Sequence, residues 1–228
     1  HGGRPVVDGL LTHPKVKAIS FVGSTPIAKY IWDTGTKHGK RVQANGGAKN
    51  YIVVMPDADI AKTVENLTTA AFGCAGERCM AGSTAIPVGA AAERLLPSLV
   101  EAARAIKVGR TDRPAPAAQP DMGPVITAPH RDRILQLVAS GEQEGAQVVC
   151  DGRGVKVADA PKGYFVGATI VDQVQRDMTL AREEVFGPVL NVMRVDNLEQ
   201  AIEQANRSAY GNGAALFTNS GKAAREFK

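Results

Sequence analysis

The sequence contains few of the residues on which several classes of protein depend. Aromatic side chains make up 5% of its 228 residues, so the stacking surfaces that single-stranded nucleic acids need are scarce. Its three cysteines form no Cys-x-x-Cys pair and no cluster with histidine, which argues against a disulfide framework and a zinc site and favours a reducing compartment. The net charge of +4 is spread without a basic block. We therefore expect no metal and no nucleic-acid partner.

Long apolar runs are also missing. No stretch approaches the length of a membrane span, and no signal-peptide pattern is present. We therefore expect no membrane partner. The chain begins with His1 rather than Met, and we interpret it as a piece of a longer protein. Its 44% content of apolar residues is sufficient for a substantial core.

Strand-like and helical patterns alternate along the chain. Strands are predicted at residues 15–22, 40–44, 51–55, 83–88, 147–150, 164–171, 190–195 and 213–217. Helices are predicted at residues 27–37, 60–75, 90–105, 127–145 and 197–207, and a long loop at residues 110–124. This order predicts an α/β fold with mainly parallel sheets.

Cys79 is the first candidate for chemistry. It follows an apolar helical stretch, stands beside Arg78, and is preceded by glycines that permit close approach of a substrate. A thiolate is the reactive form of cysteine, and a neighbouring cation favours it. The alternative is that Cys79 is a small core residue, as free cysteines often are. Cys74, inside the predicted helix, and Cys150, at the end of a strand, are expected to be structural.

The turn at Gly23 and Ser24 is the second candidate. It connects a predicted strand to a predicted helix whose first turn contains Pro26. A helix N-terminus in this context can bind a pyrophosphate. An ordinary N-cap is the alternative, because serine is favoured there in any case.

Four motifs in order resemble the aldehyde dehydrogenase superfamily. They are Phe21-Val22-Gly23-Ser24-Thr25, Gly76-Glu77-Arg78-Cys79, Met122-Gly123-Pro124 and Glu183-Glu184-Val185-Phe186-Gly187-Pro188-Val189. The resemblance implies Rossmann-type parallel sheets. Residues 1–47 would then be the last part of an NAD-binding domain, and residues 48–228 an α/β catalytic domain that stops before the oligomerisation strand.

The same resemblance assigns roles to residues. Cys79 would be the nucleophile that forms a thiohemiacetal and then a thioester. Gly23 and Ser24 would contact the pyrophosphate of NAD, while Glu184 and Phe186 would hold the nicotinamide ribose and flank its ring. A homodimer or homotetramer is implied. The expected location is the cytoplasm for a bacterial protein, or the mitochondrial matrix for a eukaryotic one.

One departure from the superfamily narrows the expectation. Most members have a Glu-Leu-Gly-Gly-Lys stretch whose glutamate is the base for hydrolysis, and here Asn45 stands in its place. An amide cannot accept a proton near neutral pH, so the acyl group would wait for a thiol such as coenzyme A. This resembles the CoA-acylating branch that oxidises methylmalonate and malonate semialdehydes.

In that branch Arg78 would bind the carboxylate of the substrate, because a guanidinium matches a carboxylate in two-point fashion. The structural alternative is a salt bridge between Arg78 and Glu77, or a neighbouring acid, on a surface turn. Two other interpretations of the chain also stay open. One is a hydrolytic aldehyde dehydrogenase that releases a free acid, and the other is an isolated fold unit without catalytic activity.

Overall fold

The computed structural model describes residues 2–112, 114 and 119–228. The chain forms two compact units, with the division between Ala48 and Lys49. We call them the N-terminal unit and the C-terminal unit. Among the described residues, no helix is both long enough and apolar enough to cross a membrane.

The N-terminal unit contains two helices and two parallel strands. These elements are α1 (Arg4–Thr12), β1 (Ala18–Val22), α2 (Thr25–Lys37) and β2 (Arg41–Asn45). The two strands pair in register from Ala18 with Arg41 to Val22 with Asn45. Leu11 and Ile31 are buried between the elements. Both strands therefore end at the same edge, and the turn between β1 and α2 lies beside the end of β2.

The C-terminal unit is built on a six-stranded sheet with the order β5-β6-β7-β4-β3-β8. Its strands are β3 (Asn50–Val54), β4 (Gly82–Pro87), β5 (Gln147–Cys150), β6 (Thr169–Asp172), β7 (Val189–Val192) and β8 (Ala214–Phe217). Among the strand pairs that the structure describes in this sheet, only the edge pair β5–β6 is antiparallel. The central strands are buried on both faces, as in most parallel sheets.

Helices supply the rest of the core. They are α3 (Ile60–Phe72), α4 (Ala91–Ala105), α5 (Ala128–Gln143), α6 (Thr179–Arg182), α7 (Leu198–Asn206) and α8 (Gly221–Phe227), with a short 3-10 helix at Gly73–Gly76. Helix α3 begins where the Asp59 side chain accepts a hydrogen bond from the backbone N–H of Lys62, a typical N-cap. Leu67, Leu95 and Ile134 are completely buried.

The prediction of an α/β fold with mainly parallel sheets is confirmed, and several details of it are corrected. The helix predicted at residues 60–75 ends at Phe72, because the next residues adopt left-handed backbone angles. Helices α1, α6 and α8 were not predicted. The strand predicted at residues 164–171 is formed only from Thr169 onward. Within the loop predicted at 110–124, residues 113 and 115–118 lie outside the described residues.

The parallel strands of the C-terminal unit place four connections at one edge of the sheet. Because β3, β4, β7 and β8 run in the same direction, the residues that precede them meet at their amino ends. Asn50 pairs with Gly82 in the register of β3 and β4, and Tyr51 pairs with Ala214 of β8. The segments before β4, β7 and β8 therefore lie side by side.

Candidate functional site

A left-handed turn leads from helix α3 to Cys79. Cys74 (φ 54°), Ala75 (φ 53°) and Gly76 (φ 68°) adopt positive φ in succession. Such angles are costly for residues other than glycine. The prediction that Cys74 is a buried helical residue is wrong, since its side chain is exposed on this turn. The turn places residues 77–80 at the amino end of β4.

Cys79 is exposed at that end, and its main chain is held by two amides. The backbone carbonyl of Cys79 accepts one hydrogen bond from Asn50 Nδ2 at 2.8 Å and another from Asn212 Nδ2 at 2.7 Å. Neither asparagine was predicted to belong to a site. The interpretation of Cys79 as a buried core residue is wrong, whereas Cys150 is buried as expected.

Arg78 is bound to the end of helix α3. Its Nη2 donates to the carbonyl of Thr69 at 2.8 Å and to that of Ala70 at 3.5 Å. A cation at the C-terminus of a helix is favoured by the helix dipole. The alternative partner, Glu77, instead lies 3.4 Å from His130 Nε2.

The segment that contains Glu184 and Phe186 is held by its main-chain carbonyls. Lys49 Nζ donates to the carbonyls of Leu180 and Glu183, and Arg133 Nη1 donates to those of Glu184 (3.0 Å) and Val185 (3.2 Å). His130 Nε2 lies 2.6 Å from the carbonyl oxygen of Phe186. Three basic side chains thus bind four consecutive carbonyls, those of residues 183–186, and fix a segment whose Phe186 has a left-handed φ of 53°.

Lys49 is buried almost completely, with 1% of its surface exposed. Burial lowers the pKa of its ammonium group to about 8, an effect that the carboxylates of Glu184 and Glu183 oppose. At neutral pH the ammonium group is therefore still mostly protonated, and it loses its proton at a lower pH than a lysine in water. Its Nζ offsets part of the cost of burial by donating hydrogen bonds to the carbonyls of Leu180 and Glu183.

Glu77 and His130 connect the turn that leads to Cys79 with the segment that contains Glu184 and Phe186. Glu77 Oε1 accepts a hydrogen bond from the backbone N–H of Ile126 at 3.2 Å and lies 3.4 Å from His130 Nε2. Burial raises the pKa of the Glu77 carboxyl group, and the contacts with Ile126 and His130 oppose that rise. The residue two positions before Cys79 is thereby connected to the segment of Phe186.

A small cleft lies between these segments. Its lining residues are Lys49, Gly76, Arg78, Ala81, Gly82, Ser83, Glu184, Val185, Phe186, Gly187 and Val189. Arg78, Glu184 and Phe186 thus line the same cleft. Cys79 follows Arg78 in the chain and lies outside this set of lining residues. The cleft combines a cation, a carboxylate and an aromatic ring, and the exposed Cys79 directly follows the cation in sequence.

The remaining candidates, Gly23, Ser24 and Asn45, gather in the N-terminal unit at the ends of its two strands. The backbone N–H of Gly23 donates to the carbonyl of Asn45 at 3.1 Å. Ser24 occupies the N-cap position of helix α2, but its side chain forms no capping hydrogen bond. The side chains of Ser24 and Asn45 are both exposed. The turn therefore presents a helix N-terminus of the kind that binds anions.

The described residues include no group of three or more His, Cys, Asp or Glu side chains placed to hold a metal ion. The residues that sequence reasoning missed are Lys49, Asn50, Asn212, His130 and Arg133. Asn50 and Asn212 meet at Cys79 although 162 positions separate them. The pairing of β3 with β8 brings them together. No local sequence pattern predicts this strand pairing.

Comparisons with known proteins all match this chain to aldehyde dehydrogenases. The model of the aldehyde dehydrogenase family matches residues 1–228. A malonate-semialdehyde dehydrogenase of Pseudomonas aeruginosa is 50% identical over all of this chain and 45% of its own length. The mitochondrial, acylating methylmalonate-semialdehyde/malonate-semialdehyde dehydrogenase of Bos taurus is 49% identical over all of this chain and 41% of its own length.

A solved structure is similar over nearly the whole chain. It is that of a Sinorhizobium meliloti 1021 protein assigned as a methylmalonate-semialdehyde dehydrogenase and complexed with NAD. It superposes with a TM-score of 0.94 and 45% identity, covering 99% of this chain and 45% of its own. The chain thus spans about half the length of the relatives it matches. Since the family model matches from the first residue to the last, the chain belongs to the aldehyde dehydrogenase family.

Proposed function

We propose that the protein containing this chain catalyses an NAD-dependent, CoA-acylating oxidation of methylmalonate or malonate semialdehyde. The products are propionyl-CoA or acetyl-CoA, with loss of the substrate carboxylate as CO₂. The observation that carries this proposal is the exposed thiol of Cys79, which directly follows an arginine lining a cleft with Glu184 and Phe186. Relatives that are 48–50% identical bear the names of these activities.

Cys79 begins the chemistry. Its sulfur forms a bond to the aldehyde carbon, the C=O double bond becomes a single bond, and the thiol proton passes to the oxygen, which gives a thiohemiacetal. Exposure makes the thiol accessible to a substrate, and the fixed main chain gives it a defined direction. Loss of a hydride from the same carbon, with loss of the oxygen-bound proton, leaves a thioester on Cys79.

Two side chains of the cleft offer the groups that would hold part of a dinucleotide. Glu184 offers carboxylate oxygens for ribose hydroxyl groups, and Phe186, of which 37% is exposed, offers a ring face for a nicotinamide. In the N-terminal unit, Gly23 and the exposed Ser24 would hold the pyrophosphate at the start of helix α2. NAD, when bound, accepts the hydride. The basic side chains Lys49, Arg133 and His130 keep the segment of Glu184 and Phe186 in place.

Asn45 determines how the acyl group leaves. The amide cannot take a proton from water, so hydrolysis of the thioester is slow. The thiol of coenzyme A ionises in part near neutral pH without a base. Its sulfur bonds to the acyl carbon, and the sulfur of Cys79 departs as a thiolate. Decarboxylation replaces the carboxylate by a proton and yields the shorter acyl group.

Arg78 is proposed to bind the substrate carboxylate. Its Nη2 is engaged with the carbonyls of helix α3, which holds the guanidinium at the cleft it lines. A guanidinium offers five N–H donors in a planar fork, so the bonds to the helix leave donors for an anion. The positive charge would select semialdehydes with an acidic group over neutral aldehydes.

The division of the chain supports the proposed domain assignment. Val22 (63% exposed), Ile27 (47%) and Trp32 (53%) are large apolar residues on the surface of the N-terminal unit. A two-stranded sheet is small for a nucleotide-binding domain. We propose that residues 1–47 are part of a larger NAD-binding domain and residues 48–228 part of the catalytic domain. Assembly as a homodimer or homotetramer, and a location in the cytoplasm or mitochondrial matrix, stay predictions.

Product analysis on the complete protein tests the function. Malonate semialdehyde and NAD are supplied with and without coenzyme A, and acyl-CoA, free acid and NADH are quantified. We expect acyl-CoA as the main product and slow NADH formation when coenzyme A is omitted. Rapid release of free acid without any thiol would instead support a hydrolytic enzyme. Cys79→Ala should abolish turnover, whereas Cys74→Ala, which removes the other exposed thiol, should not.

A binding experiment tests whether the isolated chain is active in cofactor binding. Titration with NAD, followed by tryptophan fluorescence or calorimetry, measures whether residues 1–228 bind the dinucleotide by themselves. Absence of binding here, together with full activity of the complete protein, would identify the isolated chain as an inactive fold unit. Binding at micromolar NAD would refute that interpretation.

A further inference from the structure

We propose that Asn212, together with Asn50, positions the nucleophile by clamping the backbone carbonyl of Cys79. This inference rests on the proposed role of Cys79. It concerns a part of the site that lies outside the cleft of Arg78 and Glu184. We refer to the two amide groups and the carbonyl between them as the amide clamp.

In the amide clamp, both lone pairs of the Cys79 carbonyl oxygen have a hydrogen-bond donor. The carbonyl oxygen of Cys79 has two lone pairs, and it accepts from Asn50 Nδ2 at 2.8 Å and Asn212 Nδ2 at 2.7 Å. Asn50 Nδ2 also donates to the carbonyl of Ala81 at 2.7 Å. Asn212 Nδ2 lies 3.3 Å from Asn50 Oδ1, so the two side chains also contact each other.

Both amides are fixed to the sheet. Asn50 is buried (6% exposed) and is the first residue of β3. Asn212 precedes β8, which pairs with β3, and the backbone N–H of Tyr51 donates to the carbonyl of Gly213 at 3.3 Å. The carbonyl group of Cys79 is therefore hydrogen-bonded to side chains at the starts of two neighbouring strands, β3 and β8. These hydrogen bonds restrict the main chain at Cys79, and with it the positions that the sulfur can reach by rotation about the Cα–Cβ bond.

The backbone conformation of Asn212 supports a positioning role for its side chain. Its φ is 99°, a region in which glycine has the lower energy. Asparagine at this position therefore carries a backbone cost, which its hydrogen bonds to Cys79 offset. Gln173, with φ 57°, has the same kind of backbone strain at the far end of β6, away from Cys79. It serves as a matched control.

The consequence concerns the chemical step rather than cofactor binding. The reaction requires the sulfur within van der Waals distance of the aldehyde carbon at a defined angle, and a displacement of about 1 Å can cost about a hundredfold in rate. Neither asparagine lines the cleft of Glu184 and Phe186. Loss of the clamp should therefore lower kcat while the KM for NAD changes little.

The experiment compares three variants of the complete protein in single-turnover NADH formation. Asn212→Gly removes the amide and relieves the backbone, and Asn212→Asp keeps the shape but removes the N–H donors. Gln173→Gly relieves the backbone only. We expect hydride transfer to slow by about tenfold to a hundredfold in both Asn212 variants, with the KM for NAD within about twofold of the unmodified protein. Gln173→Gly should be unchanged.

Two further readouts separate positioning from folding. Alkylation of Cys79 by iodoacetamide, followed by mass spectrometry, should stay within about twofold in the Asn212 variants because a small reagent attacks from many directions. The rate of Asn212→Asp relative to the unmodified protein should recover as the pH falls, because a protonated carboxyl group regains one donor. A carboxylate beside the oxygens of Cys79 and Asn50 should be the most harmful state.

The proposal is overturned if both Asn212 variants transfer hydride as fast as Gln173→Gly. It is also overturned if their loss of rate is matched by loss of thermal stability and shows no recovery at low pH. The Cys79→Ala variant keeps this result separate from the proposed function. Full activity of Cys79→Ala refutes the nucleophile itself, whereas an inactive Cys79→Ala with unaffected Asn212 variants refutes only the amide clamp.

Discussion

Gly76 lies directly against the carbonyl group of Gly187. A Cβ atom at Gly76 would overlap that carbonyl and would come within 3.0 Å of the carbonyl oxygen of Ala71. Gly76 also has a φ of 68°. This backbone contact joins the turn that leads to Cys79 with the segment that carries Glu184 and Phe186, and both segments line the same cleft.

Replacing Gly76 by alanine should therefore separate the two segments. The left-handed angle costs about 1–2 kcal/mol for a residue with a Cβ, and overpacking adds about 1–3 kcal/mol. We expect a loss of about 2–5 kcal/mol in the free energy of unfolding, measured by chemical denaturation, and a large loss of activity. Gly89→Ala is the control, because Gly89 has φ 52° but its nearest atom, Asp196 O, is 3.6 Å away. Equal destabilisation of both variants would contradict the close-contact argument.

The second prediction concerns Asn45. If it stands where most of the superfamily has a general base, Asn45→Glu should restore a proton acceptor for water. General base catalysis is worth about 10²–10⁴-fold, so we expect release of free acid without coenzyme A to rise by at least about tenfold. Asn45→Gln is the matched control, since it has the length of glutamate but cannot accept the proton. An unchanged rate in a folded Asn45→Glu protein would count against the proposed role of the amide.

The extent to which the sequence predicts this site depends on how local each signal is. The strands and helices follow from apolar periodicity, and the β1–α2 turn follows from Gly23, Ser24 and Pro26. Cys74 was misassigned because the helical pattern that ends in Ala70, Ala71 and Phe72 was extended across Gly73. The close contact between Gly76 and Gly187 instead imposes a left-handed turn on that stretch, and tertiary contacts routinely override helix propensity.

Local sequence patterns do not predict contacts between segments that are distant in the chain. Arg78 binds carbonyls eight and nine residues earlier, and this depends on where helix α3 ends. Ligands of open α/β sheets usually bind at the carboxyl ends of the strands. In the C-terminal unit, Cys79, Asn50 and Asn212 instead meet at the amino ends of β4, β3 and β8. That placement follows from strand order, which the sequence alone does not specify.

The third prediction ranks the thiols. Cys150 is buried, its Sγ lies 3.3 Å from the carbonyl of Ala168, and burial raises the pKa of its thiol. Cys74 and Cys79 are exposed. Because the thiolate is the reactive form and access is required, Cys150 should react with iodoacetamide at least about tenfold more slowly than the other two. Peptide mapping after timed alkylation at pH 8 measures this, and early labelling of Cys150 in folded protein would contradict the buried position.

The last prediction follows from the buried Lys49. Its pKa is about 8 in the folded protein, against an ordinary value of 10.5. Between these pH values the unfolded chain binds more protons than the folded chain, so the free energy of unfolding should rise with pH. A shift of this size corresponds to about 3 kcal/mol. Below pH 8 both states are protonated, and the cost of burying the charge is fully present.

Comparison with Lys49→Met isolates this effect. The variant removes the titrating group together with its bonds to the carbonyls of Leu180 and Glu183, so it should be less stable at every pH. The difference in unfolding free energy from the unmodified protein should widen from pH 8 to pH 10 and stay constant below pH 8. Lys62→Met, at a side chain with 79% exposure, should give a difference that does not change with pH. Parallel curves for Lys49→Met and Lys62→Met would mean that the ammonium group of Lys49 titrates like one in water, so the carbonyls of the Glu184 segment would be held by a fully charged lysine.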